Sequence, residues 1–345
     1  MGPAEDPAQV QTSAIAGQFE RVSARAALAS TWALDPRLGC RRGFALGWLV
    51  TVDAAYGHGQ ADVLVSHMGR ADYLPRISWC AIARGRRRTV PDDDALSPDV
   101  FDEVFAWISE APQTNELFDR MLGPFPPGVE PFSLVPRQGL DRVLTELRLA
   151  PDDHLVDLCC GRGGIGLWFA SVSGARLTGV DFSPGAIAQT SRRADGFMPR
   201  SRASFVVADA ADTSLPAKTA DAVVCIDALQ LVPDKNGLLR EAARILWPDG
   251  RIAITTWERC RGEPADLPPS YSIADTAALA EAAGLRVLVR EECDDWLEQE
   301  RTFYQHVIAE DGDEAEPALR LLAEEGRSLL PHSASARRLL LVSSV

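Results

Sequence analysis

The stretch Val156-Asp-Leu-Cys-Cys-Gly161-Arg-Gly163-Gly164-Ile-Gly166 runs an apolar segment straight into glycines. Glycine at a strand-to-helix turn lets backbone amides approach a ligand with no Cβ in the way. Gly161, Gly163 and Gly166 satisfy the spacing of a dinucleotide fingerprint, which by itself is a weak signal. Three acids redirect the chemistry. Asp157 stands four residues before Gly161, where a dinucleotide site carries an apolar residue, and a carboxylate there suits a ligand with a cationic group better than a pyrophosphate. Asp181 follows Gly161 by 20 residues, where an acid can accept hydrogen bonds from both ribose hydroxyls. Asp209-Ala210 closes the next apolar run, placed for a carboxylate to meet the exocyclic amine of a base. Such a pattern fits a nucleoside joined to an amino acid and free of phosphates.

Alternating strands and helices must hold these residues in place. Ser97-Pro98 is an N-cap followed by proline, and Val100, Phe101, Val104, Phe105 and Ile108 then share one helical face. Helices are expected over 115–122 and 139–147, separated by Gly123-Pro-Phe-Pro-Pro-Gly128. Strands follow at 155–159, 176–181, 204–208, 222–226, 251–256 and 285–290, with helices at 165–170, 184–194, 238–246 and 273–283 between them. Helices over 296–308 and 314–322 interrupt the series before a last strand at 338–343. The alternation predicts an α/β fold, a largely parallel seven-stranded sheet with right-handed crossovers and helices on both faces.

On these residues the chain resembles the class I S-adenosylmethionine-dependent methyltransferases. Asp157-Leu-Cys-Cys-Gly-Arg-Gly163, Val180-Asp-Phe-Ser-Pro184, Ala208-Asp-Ala210 and Asp221-Ala-Val-Val-Cys-Ile226 are similar to that family's successive motifs, and Leu246-Trp-Pro-Asp-Gly-Arg-Ile252 to its turn into the fifth strand. The resemblance covers roughly residues 97–345 and implies a Rossmann-like sheet with S-adenosylmethionine as cofactor. It also implies roles. Gly161 and Gly163, next to Cys160, would let the loop pass under the methionine moiety, and Asp181 would hold the ribose. Asp209 would meet the adenine amine, with Phe182 and Ala210 against the base, and Asp157 and Asp227 would lie near the methionine ammonium. Cys159-Cys160 departs from the family's frequent Gly-Cys, a change between small residues.

A sulfonium methyl is already activated, so its transfer is an in-line displacement that asks mainly for positioning and desolvation. A base is needed only where the acceptor must lose a proton, and no catalytic residue is assigned from the sequence. The substrate side of such a fold follows strands four and five and the helices before strand one. There the chain offers Gln230, Trp257 and Glu258, with Phe132 and Arg137 upstream and Phe303, Tyr304 and His306 downstream. Glu258 or His306 could act as base, or be a surface loop acid and a packing histidine; Trp257 is a candidate pocket wall. No Asn-Pro-Pro-Tyr, Asp-Pro-Pro-Tyr or Pro-Cys follows the fourth strand, which demotes amide, adenine-amine and cytosine acceptors. The segment 248–257, the proline-rich loop after it and the helical insertion resemble bacterial small-molecule methyltransferases, many of which act on specialised metabolites. A small-molecule acceptor follows as the expectation, with O-, N- and C-transfer open.

Composition narrows the partners. Of 345 residues, 49 are acidic and 35 basic, a formal charge of −14, the reverse of the field a nucleic-acid binder needs. No apolar run reaches the ~20 residues of a membrane span, and the acidic start lacks a secretory core. Seven scattered cysteines with no CxxC, and five histidines with none at i, i+4 spacing, suggest a reduced, cytoplasmic chain without disulfides or bound metal. Residues 1–91 carry 11 arginines against 7 acids and little periodicity, and read as an extension of unknown role. Residues 92–150 read as a helical cap beside the site, and 151–345 as the core. Oligomeric state is not legible. Two rival readings stand beside methyl transfer: a noncatalytic S-adenosylmethionine-binding module, and an NAD-dependent oxidoreductase that uses the glycine spacing alone.

Overall fold

The apolar run at the head of the glycine loop forms β1 (His154–Leu158), with Leu155, Val156 and Leu158 fully buried, as a strand covered on both faces must be. In this computed structural model residues 97–263 and 267–345 are described. The extension expected over 1–91, and the first residues of the cap expected over 92–150, lie outside them.

The cap residues form α1 (Pro98–Ser109), α2 (Pro112–Leu122) and α3 (Arg137–Leu147). The core continues from β1 through α4 (Gly164–Ser173), β2 (Arg176–Asp181), α5 (Pro184–Arg193), β3 (Ala203–Val207) and β4 (Ala220–Ile226). Next come α6 (Lys235–Ile245), β5 (Leu246–Arg259), α7 (Thr276–Ala282) and β6 (Arg286–Glu292). The chain then adds α8 (Asp294–Glu310), α9 (Pro317–Leu329) and β7 (Ala336–Ser344). The seven strands lie in the order β3-β2-β1-β4-β5-β7-β6. The first five run parallel, and β7 is antiparallel between β5 and β6. From β1 the chain moves out to β2 and β3, then returns to set β4 on the other side of β1. That reversal opens a crevice at the carboxyl ends of β1 and β4, where α/β sheets bind ligands.

Local chemistry sets the element ends. Ser183 caps α5, its hydroxyl accepting from Ala186 N at 2.9 Å, with Pro184 in the first turn. Asp234 caps α6 by accepting from Gly237 N at 2.7 Å. Ser97 sits at the N-cap position of α1 without a capping hydrogen bond from its side chain. Several elements outrun their expected bounds, β5 and α9 by the most. β5 already pairs with β4 at Leu246, resumes at Arg251 after an irregularity, and reaches Arg259 because β7 pairs with it from Arg251 to Arg259. α9 continues past Leu322 to Leu329, since Ala323, Gly326 and Leu329 prolong its buried stripe.

Helix α1 buries Val104, Phe105 and Ile108 and covers the start of α5. Asp102 Oδ1 accepts from Gly185 N at 2.9 Å and from the Ser183 hydroxyl, and Phe101 meets Phe182 edge-on at 5.2 Å between centroids. No helix among the described residues is long and apolar enough to cross a membrane.

The far side of the crevice is fixed by a buried cation. Arg338 on β7 is 0% exposed. It donates to Asp227 Oδ2 at 2.9 Å, approaches Glu300 of α8 at 3.5 Å and stacks on the Trp257 ring at 3.9 Å. Trp257 Nε1 in turn donates to both Glu300 carboxylate oxygens at 3.0 Å. Removing one partner of such a cluster leaves the others charged and unpaired in the interior. Arg338→Met is expected to cost about 3–5 kcal/mol of unfolding free energy, measurable by urea denaturation. A loss below about 1 kcal/mol would show that the cluster is not what joins these elements.

Candidate functional site

Asp157 ends β1 with its side chain 5% exposed, and receives the Gly166 amide. A Cβ on Gly166 would lie 2.4 Å from the Asp157 carboxylate, so that position must be glycine for the acid to sit there. Burial, and next to it the charge of Asp181, push the Asp157 carboxyl up to about 8. Asp181, at the end of β2, accepts from Gly161 N at 2.8 Å and Ser183 N at 2.9 Å. Burial still raises its pKa against those two bonds. The loop itself is tied by Gly163 N donating to Cys160 O at 2.8 Å and the Thr190 hydroxyl donating to Gly161 O at 2.8 Å. Both Cys159 and Cys160 thiols are held well above the usual range, Cys160 by burial and by the neighbouring Asp157 and Asp181; neither is a nucleophile at neutral pH. Asp209, past β3, is exposed and accepts from Ala211 N at 2.8 Å, while Ala210 beside it is buried.

These groups face one cavity of about 390 Å³. Asp157, Cys160, Gly161, Gly163, Asp181, Phe182, Asp209, Ala210 and Asp227 all line it, as do Phe132, Gln230, Trp257 and Tyr304 on the other side. The cavity's charges are one-sided. Arg162 is paired with Glu130 at 2.7 Å and Asp227 with Arg338, which leaves Asp157, Asp181 and Asp209 with no cation among the described residues. A pyrophosphate would meet repulsion there, whereas a nucleoside carrying an ammonium and a sulfonium would meet compensation. The donor set therefore fits S-adenosylmethionine, with Asp181 and Asp209 still offering free lone pairs to hydroxyl and amine donors.

Several sequence expectations need correction. Asp227 lines the cavity, but its carboxylate is used inside the protein. Besides Arg338 it accepts from Ser133 Oγ at 2.8 Å, Leu134 N at 3.1 Å and Thr255 Oγ1 at 2.7 Å, so it is not available to a ligand ammonium. Glu258 does not reach the cavity and is no candidate base. Side chains alternate along β5, so Trp257 facing the cavity turns Glu258 to the opposite face. There it is 0% exposed, bound by Arg290 at 2.6 Å, Arg337 at 3.3 Å and Thr276 N at 2.6 Å. His306 is exposed, its Nδ1 2.9 Å from Thr302 O, and is likewise away from the cavity. Arg137 stacks on Trp168 at 4.5 Å and Phe303 packs on Phe118 at 4.9 Å, both outside the lining. Gln230 lines the wall with both amide ends spent, on Asp227 O at 2.6 Å and the Thr256 hydroxyl at 3.0 Å.

Sequence reasoning missed Phe101 and Phe105 of α1 and Glu325 of α9, all of which line the cavity. The phenylalanines were visible as an apolar face whose partner was unknown. Glu325 carried a readable signal: it falls three residues after Leu322 and four before Leu329, an acid on the apolar stripe of its helix.

Residues 155–250 match the family model described as "Methyltransferase domain". Among curated proteins, 27-O-demethylrifamycin SV methyltransferase of Amycolatopsis mediterranei is 32% identical over 114 residues, covering 33% of this chain and 42% of that one. Methyltransferase GfsG of Streptomyces halstedii is 28% identical over 152 residues, 41% of this chain and 54% of that one. The chain thus spans about half the length of these relatives. Among solved structures, the [4+2]-cyclase SpnF superposes with a TM-score of 0.57 at 18% identity, over 72% of this chain and 96% of that one. Phosphoethanolamine N-methyltransferase 2 of Haemonchus contortus, solved with S-adenosyl-L-methionine, gives 0.56 at 17%, over 71% and 59%. At such identities the superpositions speak for the fold alone. The strand-end acids and the glycine loop agree with that match, and over residues 155–250 the chain is similar to a methyltransferase domain.

Proposed function

We propose that this protein transfers the methyl group of S-adenosylmethionine to a small-molecule acceptor bound in the same cavity. The observation that carries the reading is that a single cavity is lined both by Asp157, Asp181 and Asp209 and by the aromatic side chains of Phe132, Trp257 and Tyr304. Bound against those acids, the cofactor supplies an activated methyl on a sulfonium. The chain's own part is to hold that group and the acceptor in line and to keep water out. Phe101 and Phe105 of α1 cover the cofactor end, and the acceptor end is walled by aromatic and aliphatic side chains. An acceptor of specialised metabolism, mainly apolar and carrying few polar groups, suits such walls. Whether oxygen, nitrogen or carbon receives the methyl is the finer question.

S-adenosylhomocysteine at ~100 times its dissociation constant is expected to raise unfolding free energy by about 2.7 kcal/mol, read as a rise in melting temperature, while NAD leaves it unchanged. Stabilisation by NAD alone would overturn the reading in favour of a dinucleotide enzyme. Binding of the sulfur ligand without turnover of any acceptor would favour a noncatalytic binding module.

The Asp157 carboxyl adds a pH test. Its folded value of about 8 stands above the ordinary 3.8, so this group favours folding of the ligand-free protein at low pH. That contribution is lost as pH rises between those values. A cationic ligand favours the ionised form and binds with release of a proton. Drawing the carboxyl down by even one unit tightens binding about tenfold between roughly pH 6 and pH 9. Calorimetry with S-adenosylhomocysteine in buffers of different ionisation enthalpy checks this. Affinity flat with pH in the wild type, or an unchanged pH dependence in Asp157→Asn, would contradict it.

A further inference from the structure

We propose that Glu325 is the catalytic base for a hydroxyl-bearing acceptor, with Tyr304 beside it in the cavity wall. This deepens the methyl-transfer reading and rests on it. Three polar side chains on the cavity wall are already committed. Asp227 is committed to Arg338, Ser133 and Thr255. Trp257 Nε1 is given to Glu300, and Gln230 is satisfied at both ends. Glu325 lines the same cavity and, among the described residues, forms no ion pair, so its carboxylate keeps lone pairs for a ligand.

Its position is built rather than incidental. Glu325 follows Leu322 and precedes Leu329 on α9, and all three face the cavity. The Tyr304 phenol of α8 is its neighbour and favours the charged carboxylate. Tyr304 is itself fully buried, its ring pressed against the neighbouring turn of α9. A Cβ added to Gly326 would stand 2.7 Å from Tyr304 Cδ1. The two helices therefore meet next to Glu325, and Gly326 is what lets them meet that closely.

The groups facing Glu325 are Tyr304 and Glu300 from α8, Tyr271 from the turn Pro269–Tyr271, and Asp227 after β4, with Arg338 of β7 behind them. Burial raises the Glu325 carboxyl to about 7, the neighbouring Tyr304 phenol lowers it and the Asp227 charge raises it. A carboxyl that titrates near neutrality is well matched to take a hydroxyl proton. In the step itself the acceptor's O–H bond breaks and its proton passes to the Glu325 carboxylate. The oxygen electron pair forms the new bond to the methyl carbon, and the pair of the breaking S–C bond stays on sulfur. Glu325 later returns its proton to water. Sulfonium, hydroxyl and carboxylate become thioether, methyl ether and carboxylic acid, with charge conserved.

The test uses the full-length protein, labelled S-adenosylmethionine and a probe panel of catechol, 4-nitrophenol, primary aliphatic alcohols and primary amines. S-adenosylhomocysteine affinity is measured in every variant. In Glu325→Gln, hydroxyl methylation is expected to fall at least about 100-fold while the affinity stays within about threefold. Glu325→Asp, which keeps a carboxylate one methylene back, should retain part of the rate. The wild-type kcat/KM should rise with pH to a plateau just above 7, and Tyr304→Phe should move that inflection upward. In the protein without substrate, a protonated-carboxyl infrared band that disappears between about pH 6 and pH 8 should be diminished in Glu325→Gln. Hydroxyl transfer within threefold of wild type in Glu325→Gln would overturn the assignment, as would a wild type that methylates only amines. Absence of S-adenosylhomocysteine binding by the wild type would instead bring down the methyl-transfer reading itself, and this assignment with it.

Discussion

A guanidinium with no exposed surface cannot stand alone, because desolvation costs several kcal/mol per ion even after relaxation. Arg338 fixes much of the structure through that constraint. Asp227 must stay beneath it, which places the end of β4. Trp257 must lie flat against it, which sets the outward end of β5. Glu300 must come close, which docks α8. Asp227 then reaches across to Ser133 and Leu134, so the segment between α2 and α3 is drawn to the same point. The partners are scattered over the chain: Asp227 and Arg338 are 111 residues apart in sequence. The cluster joins the cap, the parallel sheet and the late helical insertion around one wall of the cavity.

That arrangement explains why the cavity holds two kinds of carboxyl. Asp227 and Glu300 lie beside the Arg338 cation and serve the architecture. Asp157, Asp181, Asp209 and Glu325 line the space with no cation opposite them among the described residues. Burial raises the affinity for protons at Asp157 and Glu325, and at Glu300 too, where Arg338 only offsets part of it. The aspartates therefore favour a cation, while the aromatic wall presents a single titratable carboxyl among apolar side chains. The same residue type does opposite work according to whether an arginine stands next to it. The superposition on a cyclase adds the reminder that the fold by itself leaves the reaction open.

Much of this was legible from sequence because it rests on local rules. Apolar runs marked the strands, Ser183-Pro184 marked a helix start, and acids at the ends of successive strands marked a cavity rim. The failures share a cause: each depended on a partner far along the chain. Asp227 looked available because nothing near it announced Arg338. Glu258 looked like a pocket acid because its neighbour Trp257 was one. The strand's two-residue period puts the pair on opposite faces, and Arg290 and Arg337 wait on the other side. Glu325 was passed over because its helix was expected to stop at Leu322, before the packing of α8 against α9 had a chance to extend it.

The tie between α1 and α5 has a consequence of its own. The Ser183 hydroxyl accepts from the first turn of α5 and donates to Asp102, and Asp102 in turn receives the Gly185 amide. Seating the cover over the cofactor end and finishing the N-terminus of α5 are thus one event. Lifting α1 would strip the Gly185 amide of its acceptor and expose it to water. Its rate of exchange with solvent deuterium would therefore report how firmly α1 is seated on α5.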